Sequence, residues 1–214
     1  MKTVITIARS YGSGGRTLGK LLAQRLGMNY YDREILRIAS DESGINEALF
    51  GQADERLKKS PLPGILRKHP YKGDGVLPPE SADFVSDDNL FHYQAKVIRE
   101  LAAQESCIII GRCADYVLRE HPSVIRLYFY APLNDCVVRV MNQNGLSEKE
   151  AVKKIEKIDK YRAAYYRYYT GRDWNDARNY NFCLDTTSMS YEKLAEVVEN
   201  FVQIYQKPKE CQEI

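Results

Sequence analysis

Residues 4 to 19, Val-Ile-Thr-Ile-Ala-Arg-Ser-Tyr-Gly-Ser-Gly-Gly-Arg-Thr-Leu-Gly, leave the chain few choices, because a β-branched apolar run passes through glycines straight into a helical pattern. Val4, Ile5 and Ile7 predict a short strand buried on both faces. Gly12, Gly14 and Gly15 permit positive φ and let the backbone come close to a ligand. From Arg16 onward Leu18, Leu21, Leu22 and Leu26 keep helical spacing, so the free N–H groups and positive dipole end of that helix face whatever the glycines cradle. A turn of this kind selects an anion.

The phosphate-loop pattern G-x-x-x-x-G-K-[ST] falls on Ser10 through Thr17, with Gly15 as its second glycine and Thr17 as the hydroxyl that ligates Mg²⁺. Ser13 lies inside the cradle. Ser10 replaces the first glycine and Arg16 the lysine; arginine keeps the charge and adds a fork for phosphate oxygens, but with a different bulk and plane. The bland reading is a glycine-rich strand-to-helix turn without a ligand. A dinucleotide turn is the nearest competitor, since Gly12-Ser13-Gly14 follows a strand and Asp32 lies near the distance of a ribose-binding acid. It fails at Thr17, where the third glycine would let helix and strand approach.

A chain of 214 residues holds one α/β core with insertions more readily than two domains, so a single domain over 1–214 is expected. A net charge of +2 with 28% charged residues gives no sign of a nucleic-acid binder. No leader pattern and no run near the ~20 apolar residues of a membrane span is visible, which places the chain in the cytoplasm by elimination. The five cysteines are odd in number and lack C-x-x-C spacing, so they suggest small core residues rather than disulfides or zinc ligands. His69, His92 and His121 stand singly and suit surface or capping roles.

Beyond the first helix, Met28 to Asp32 reads as a brief strand ending in an acid, which either faces a ligand or caps the helix beginning at Arg33. Prolines and glycines crowd 60 to 86, predicting a long mobile excursion rather than core. Asp87-Asp88 is set to cap a helix over about 89–104. Cys107-Ile108-Ile109-Ile110-Gly111 is the strongest buried-strand signal, and Arg112 opens the helix behind it. Residues 124–130 form a further strand, followed by a helix to Asn144 that Gly145 ends. Ser147-Glu148-Lys149-Glu150 is a capping box. Arg139, Arg162, Arg167 and Arg172, interleaved with tyrosines, read equally as a phosphate-clamping lid or as a solvated helix packed through its tyrosines. Residues 181–186 and 190–205 supply a last strand and an amphipathic helix.

Five short strands alternating with helices, with a phosphate loop after the first, predict an α/β fold: a parallel five-stranded sheet flanked by helices. On Tyr11-Gly-Ser-Gly-Gly-Arg16, Tyr30-Tyr-Asp32, Ile110-Gly-Arg-Cys-Ala-Asp115, Asp159-x-x-Arg162 and Tyr168-Tyr-Thr-Gly-x-x-Trp174, the chain resembles the cytidylate kinase-like family of P-loop nucleoside monophosphate kinases over nearly its whole length. The resemblance implies that Gly12, Ser13, Gly14, Gly15, Arg16 and Thr17 hold the phosphates of ATP with Mg²⁺. It further implies that Asp32, Arg33, Arg112 and Asp115 serve a CMP-like acceptor, and that Asp159 and Arg162 belong to a lid. Residues 33–104 would be the acceptor-binding insertion and about 145–175 the lid, both moving inward around substrates. Catalysis would then rest on Arg16, Arg112, Asp159 and Arg162, with Asp32 or Asp115 as the acid behind Mg²⁺. A regulator or interaction protein of the same fold is the alternative; Thr17, Arg112 and Arg162 favour the enzyme.

Overall fold

The computed structural model describes residues 2–52, 71–73 and 75–206. Strands β1 (Val4–Arg9), β2 (Asn29–Tyr31), β3 (Cys107–Ile110), β4 (Val124–Tyr130) and β5 (Phe182–Asp185) form one sheet in the order β2-β3-β1-β4-β5. Every pairing is parallel, with Val4 opposite both Cys107 and Val124. Parallel strands need long crossovers, and helices supply them. These are α1 (Gly15–Leu26), α2 (Glu34–Ser43), α3 (Asp87–Gln104), α4 (Ala114–Val117), α5 (Leu133–Asn144), α6 (Glu148–Thr170) and α7 (Tyr191–Gln206). The parallel, helix-flanked sheet is the one the sequence predicts.

Alternate residues of the central strands divide between two layers. Ile5, Ile7, Ile108, Ile110 and Leu127 pack with Leu18 and Leu22 of α1 and Leu194 and Val198 of α7. Val4, Cys107, Ile109 and Val124 turn to the other face, against Ile35 of α2 and Phe91, Ile98 and Leu101 of α3. Burial on both sides explains why these strands read as unbroken apolar runs. A smaller cluster of Cys136, Val137, Val140, Ala151 and Ile155 joins α5 to α6.

Several local expectations hold, and others are corrected. The capping box is formed, with the Glu150 carboxylate accepting the Ser147 N–H at 2.9 Å. Helix α1 starts one residue early, at Gly15. The cap of α3 is Ser86 rather than Asp87 or Asp88, its Oγ accepting the Asn89 N–H at 3.3 Å. The helix expected from Arg112 is delayed to Ala114 because Gly111, Arg112 and Cys113 all hold positive φ, at 69°, 55° and 54°. Of the stretch 60–86, residues 60–70 and 74 lie outside the described residues. The remainder is tied down rather than loose at two points. Tyr71 is buried, donates its N–H to the Tyr169 carbonyl at 2.7 Å and meets Phe91 edge-on, while the Leu77 N–H donates to Asn89 Oδ1 at 2.8 Å. Partners brought from α3 and α6 supply what the polar local composition lacks. Cys107, Cys113 and Cys136 are buried and Cys183 is half-buried.

Candidate active site

The glycine turn lies at the carboxyl edge of the sheet, where open α/β sheets bind ligands. Gly12 and Gly14 hold φ of 82° and 77°. Gly15 does not; it is the first helical residue, and it is required for space, since a Cβ there would stand 2.8 Å from Arg9 Cβ and 3.2 Å from Phe129 Cβ. Gly14 caps α1 without any side-chain hydrogen bond of its own, so beyond the Gly15 N–H, which Ser13 takes, the first amides of the helix can serve an anion. Ser13 is buried and shapes the turn: its Oγ donates to the Ser10 carbonyl at 2.9 Å and accepts the Gly15 N–H at 3.3 Å. Its carbonyl is held from below by Arg139 Nη1 at 2.7 Å and by the Thr186 hydroxyl, and Arg139 also donates to the Thr186 carbonyl at 3.1 Å. Arg139 therefore supports the loop rather than a lid. Arg16 and Thr17 are exposed on the first turn of α1, and Arg16 Nη2 meets Asp32 Oδ2 at 2.7 Å.

Beside the loop is a cavity of about 150 Å³ between the tips of β1 and β3, with α6 across it. Arg9, Asp32, Arg112, Asp115 and Arg162 line it together with Tyr161, Tyr165 and Trp174. Arg112 Nε donates to the Asp32 carbonyl at 3.0 Å and Nη1 to Gln94 Oε1 at 2.9 Å. Two of the three consecutive left-handed residues at this tip are not glycine, a conformation that costs of order 1–3 kcal/mol per residue and clusters at ligand sites. Arg162 Nη1 donates to Asp159 Oδ1 at 3.1 Å and to the Arg9 carbonyl at 2.9 Å, and the Asp159 carboxylate accepts the Tyr11 N–H at 2.9 Å. Helix α6 is thus already seated on the glycine loop. Burial pushes the Asp159 carboxyl up and the Arg162 guanidinium down, each opposed by the other's charge.

The fold brings Arg112, Asp159, Arg162, Asp32 and Asp115 to one edge with the loop. Asp115 sits deepest; its Oδ2 accepts the Tyr166 hydroxyl at 2.6 Å, and burial raises its pKa. Arg33 stands apart, exposed at the N-cap of α2, and Asp32 faces Arg16 and Arg9 instead of capping that helix. The two readings of the tyrosine-rich helix describe two of its faces. Tyr169 stacks on Phe91 at 3.8 Å and Tyr168 donates to Asp88 Oδ1 at 3.1 Å, bolting α6 to α3, while Arg162 faces the loop. Sequence reasoning missed Arg9, whose one available signal is a charge closing an apolar strand just before the glycines. Four arginines (9, 16, 112 and 162) face three carboxylates, Asp32, Asp159 and the deeper Asp115, so cations outnumber carboxylates by one around the cavity.

Comparison with known proteins agrees with this geometry. Cytidylate kinases of Methanopyrus kandleri and Methanosarcina barkeri are 23% identical over 202 residues and 25% identical over 197, spanning 93% and 91% of this chain and 92% and 93% of those proteins. A uronate isomerase of Corynebacterium glutamicum is 34% identical over 109 residues, 49% of this chain; the chain spans only 20% of that protein's length. Among solved structures, an uncharacterized protein from Eubacterium ventriosum has a TM-score of 0.68 at 24% identity, covering 94% of this chain and 99% of that one. Shikimate kinase from Bacteroides thetaiotaomicron has a TM-score of 0.54 at 11% identity, covering 94% and 98%. These structures share the fold. The model of the cytidylate kinase-like family matches residues 4–188, a span that includes the glycine loop, Arg112 and the Asp159–Arg162 pair, and the chain belongs to that family.

Proposed function

We propose that the protein is a nucleoside monophosphate kinase that transfers the γ-phosphoryl group of ATP to a CMP-like acceptor with Mg²⁺. The observation that carries this reading is the pairing, at one sheet edge, of a glycine turn at a helix N-terminus with an arginine-lined cavity, with Arg162 at their junction through its bonds to the Arg9 carbonyl and to Asp159. Phosphoryl transfer asks for positioning and for positive charge around the moving group, and needs no covalent intermediate.

On this reading Gly12, Gly14, Gly15 and the amides of α1 hold the donor phosphates, with Ser13 keeping the turn in shape and Arg16 adding charge. The Thr17 hydroxyl and the Asp32 carboxylate are hard oxygen donors on one side of the loop, a set that suits Mg²⁺. Thr17 would hold the ion together with the nucleotide, and Asp32 is the better acid behind it, since Asp115 is engaged by Tyr166. When bound, the ion neutralises charge on the β- and γ-oxygens. Arg112 and Asp115 lie on the acceptor side, with Asp32 at the boundary and Arg33 at the outer rim. Residues 33–104 form the acceptor insertion and about 145–175 the lid of a single domain spanning 1–214. The cavity, at about 150 Å³, is smaller than the ~300–1,000 Å³ of ordinary small-molecule pockets, so α6 must swing out to admit a nucleotide. The proposed preference for cytidine rests on family likeness alone. We place the enzyme in the cytoplasm, with nucleotides and no nucleic acid as partners; no described helix is long and apolar enough to cross a membrane.

A nucleotide-responsive protein without turnover is the second reading, favoured by the lid's hold on the Tyr11 N–H. A coupled assay pairing ATP and GTP with CMP, dCMP, UMP, AMP and GMP separates the two. The kinase reading expects turnover, greatest with CMP or dCMP, and an ATP·Mg²⁺-dependent rise in melting temperature. A thermal shift without turnover on any acceptor favours the regulator. A folded protein with neither overturns both.

A further inference from the structure

One arginine of the cavity has no part in the reading so far. Arg9 closes β1 immediately before the glycine loop, yet its side chain runs toward the tip of β3: Nη1 lies 2.5 Å from where a Cβ on Gly111 would stand. None of residues 12 to 17 lines the cavity, whereas Arg9 does. Its side chain is 14% exposed, and its one carboxylate neighbour among the described residues is Asp32 at 3.9 Å, beyond hydrogen-bond length. Asp32 is already engaged by Arg16 at 2.7 Å. Arg112 and Arg162, by contrast, each donate two hydrogen bonds of 3.1 Å or less to protein acceptors. A sheltered guanidinium without a close counter-ion is costly, and burial, then the charge of Arg162, pulls Arg9 down to about 9 against the opposing pull of Asp32. An anion entering the cavity would relieve that cost.

We propose that Arg9 binds the phosphate of the acceptor nucleotide, together with Arg112, and so makes the site require a monophosphate rather than a bare nucleoside. This assignment rests on the kinase reading above. Only the stem of Arg9 meets the donor loop, at Gly15; its guanidinium lies by Gly111 in the cavity, whereas Gly12 faces Cys136 and Val140 and Gly14 faces Tyr191, none of which lines the cavity. Gly111 belongs to the same device: any side chain there would displace the guanidinium.

Trp174 is the only tryptophan of the chain and lines the cavity, so its fluorescence reports binding directly. Wild type, Arg9→Met and Arg9→Lys are titrated with CMP, with cytidine and with inorganic phosphate, and the ATP·Mg²⁺ thermal shift is followed separately. Methionine keeps an unbranched stem against Gly15; lysine keeps the charge without the fork. In Arg9→Met the Kd for CMP should rise about 10- to 100-fold, the worth of a charged hydrogen bond, with partial recovery in Arg9→Lys. Cytidine affinity and the ATP·Mg²⁺ shift should stay at wild-type values, and KM for the acceptor should rise more than kcat falls. Unchanged CMP affinity in a folded Arg9→Met overturns the assignment, as does an equal loss for CMP and cytidine, or loss of the ATP·Mg²⁺ shift alone. Two outcomes distinguish the layers. If wild type phosphorylates CMP and Arg9→Met matches it, only the Arg9 assignment falls. If wild type phosphorylates no monophosphate but binds inorganic phosphate through Arg9, the kinase reading falls and the anion role stands.

Discussion

The glycine loop and the cavity beside it share one sheet edge but are built from different material. The loop is backbone: left-handed Gly12 and Gly14, close-packed Gly15 and the uncapped start of α1, all within a few residues of one another. The cavity mouth is side chains, with Arg9, Asp32, Arg112 and Arg162 delivered from four separate segments. A backbone cradle fails when something is added to it. A side-chain cradle fails when charge is removed.

The sharpest way to break this contrast is Arg162→Ala. If Arg162 stabilises charge on the transferring group, kcat should fall by about 10³-fold or more while donor affinity changes little, on the scale of arginine fingers. Measuring kcat, KM and melting temperature together decides it, since intact turnover in a stable protein would remove Arg162 from the catalytic groups. Arg16 comes next because it touches both regions, standing on the loop helix and pairing with Asp32. Arg16→Ala should lose about 2–4 kcal/mol of transition-state stabilisation, read from kcat/KM; wild-type turnover would make it a surface residue of α1.

The loop side is tested by addition. At Gly12 a Cβ would lie 2.8 Å from the Cys136 carbonyl oxygen at a φ of 82°, so both space and conformation oppose it. Gly12→Ala should destabilise the fold by about 1–3 kcal/mol in urea or thermal unfolding, and an unshifted midpoint would remove the steric half of the contrast. The smallest effect is expected at Asp115, which lies in the cavity but belongs to its packing. Burial raises its folded-state pKa above the ordinary 3.8, with the Tyr166 hydrogen bond opposing. The native chain therefore keeps this proton longer than the unfolded one, and stability falls as pH climbs from about 3.8 through the raised value, then levels off. Asp115→Asn still accepts from Tyr166 and should flatten that slope while slightly raising stability at neutral pH. An unchanged slope above pH 3.8 would mean that the carboxylate is held charged rather than protonated by its surroundings.

The same contrast explains what the sequence discloses. Ile108 to Ile110 and Val124 to Phe129 announce their strands because both faces of the sheet are covered, and Gly12 and Gly14 announce the turn because no other residue sits easily at their φ. Arg9 is mute in sequence, since its surroundings come from Gly111, Asp32 and Arg162. Arg139 reads as a member of an arginine cluster, but its partners Ser13 and Thr186 lie 126 and 47 residues away. Tyr71, set among prolines and glycines, owes its burial to Phe91 and Tyr169, which no local pattern connects to it. Gly111 alone marks the left-handed turn in sequence; nothing local discloses that Arg112 and Cys113 continue it.

The grip of Arg139 and Thr186 on the Ser13 carbonyl has a consequence in time. Residue 13 leaves the ribosome early, but the Thr186 hydroxyl that holds it is 173 residues downstream. At about 5–20 residues per second the interval is roughly 9 to 35 seconds. Through that interval the nascent chain carries its glycines without the Thr186 clamp, Arg139 arriving part-way, and the tyrosine that abuts Gly14, Tyr191, is later still. A chain that stops between residues 139 and 186 would carry the full glycine signature and the Arg139 bond, but no Thr186 hydroxyl beneath the loop.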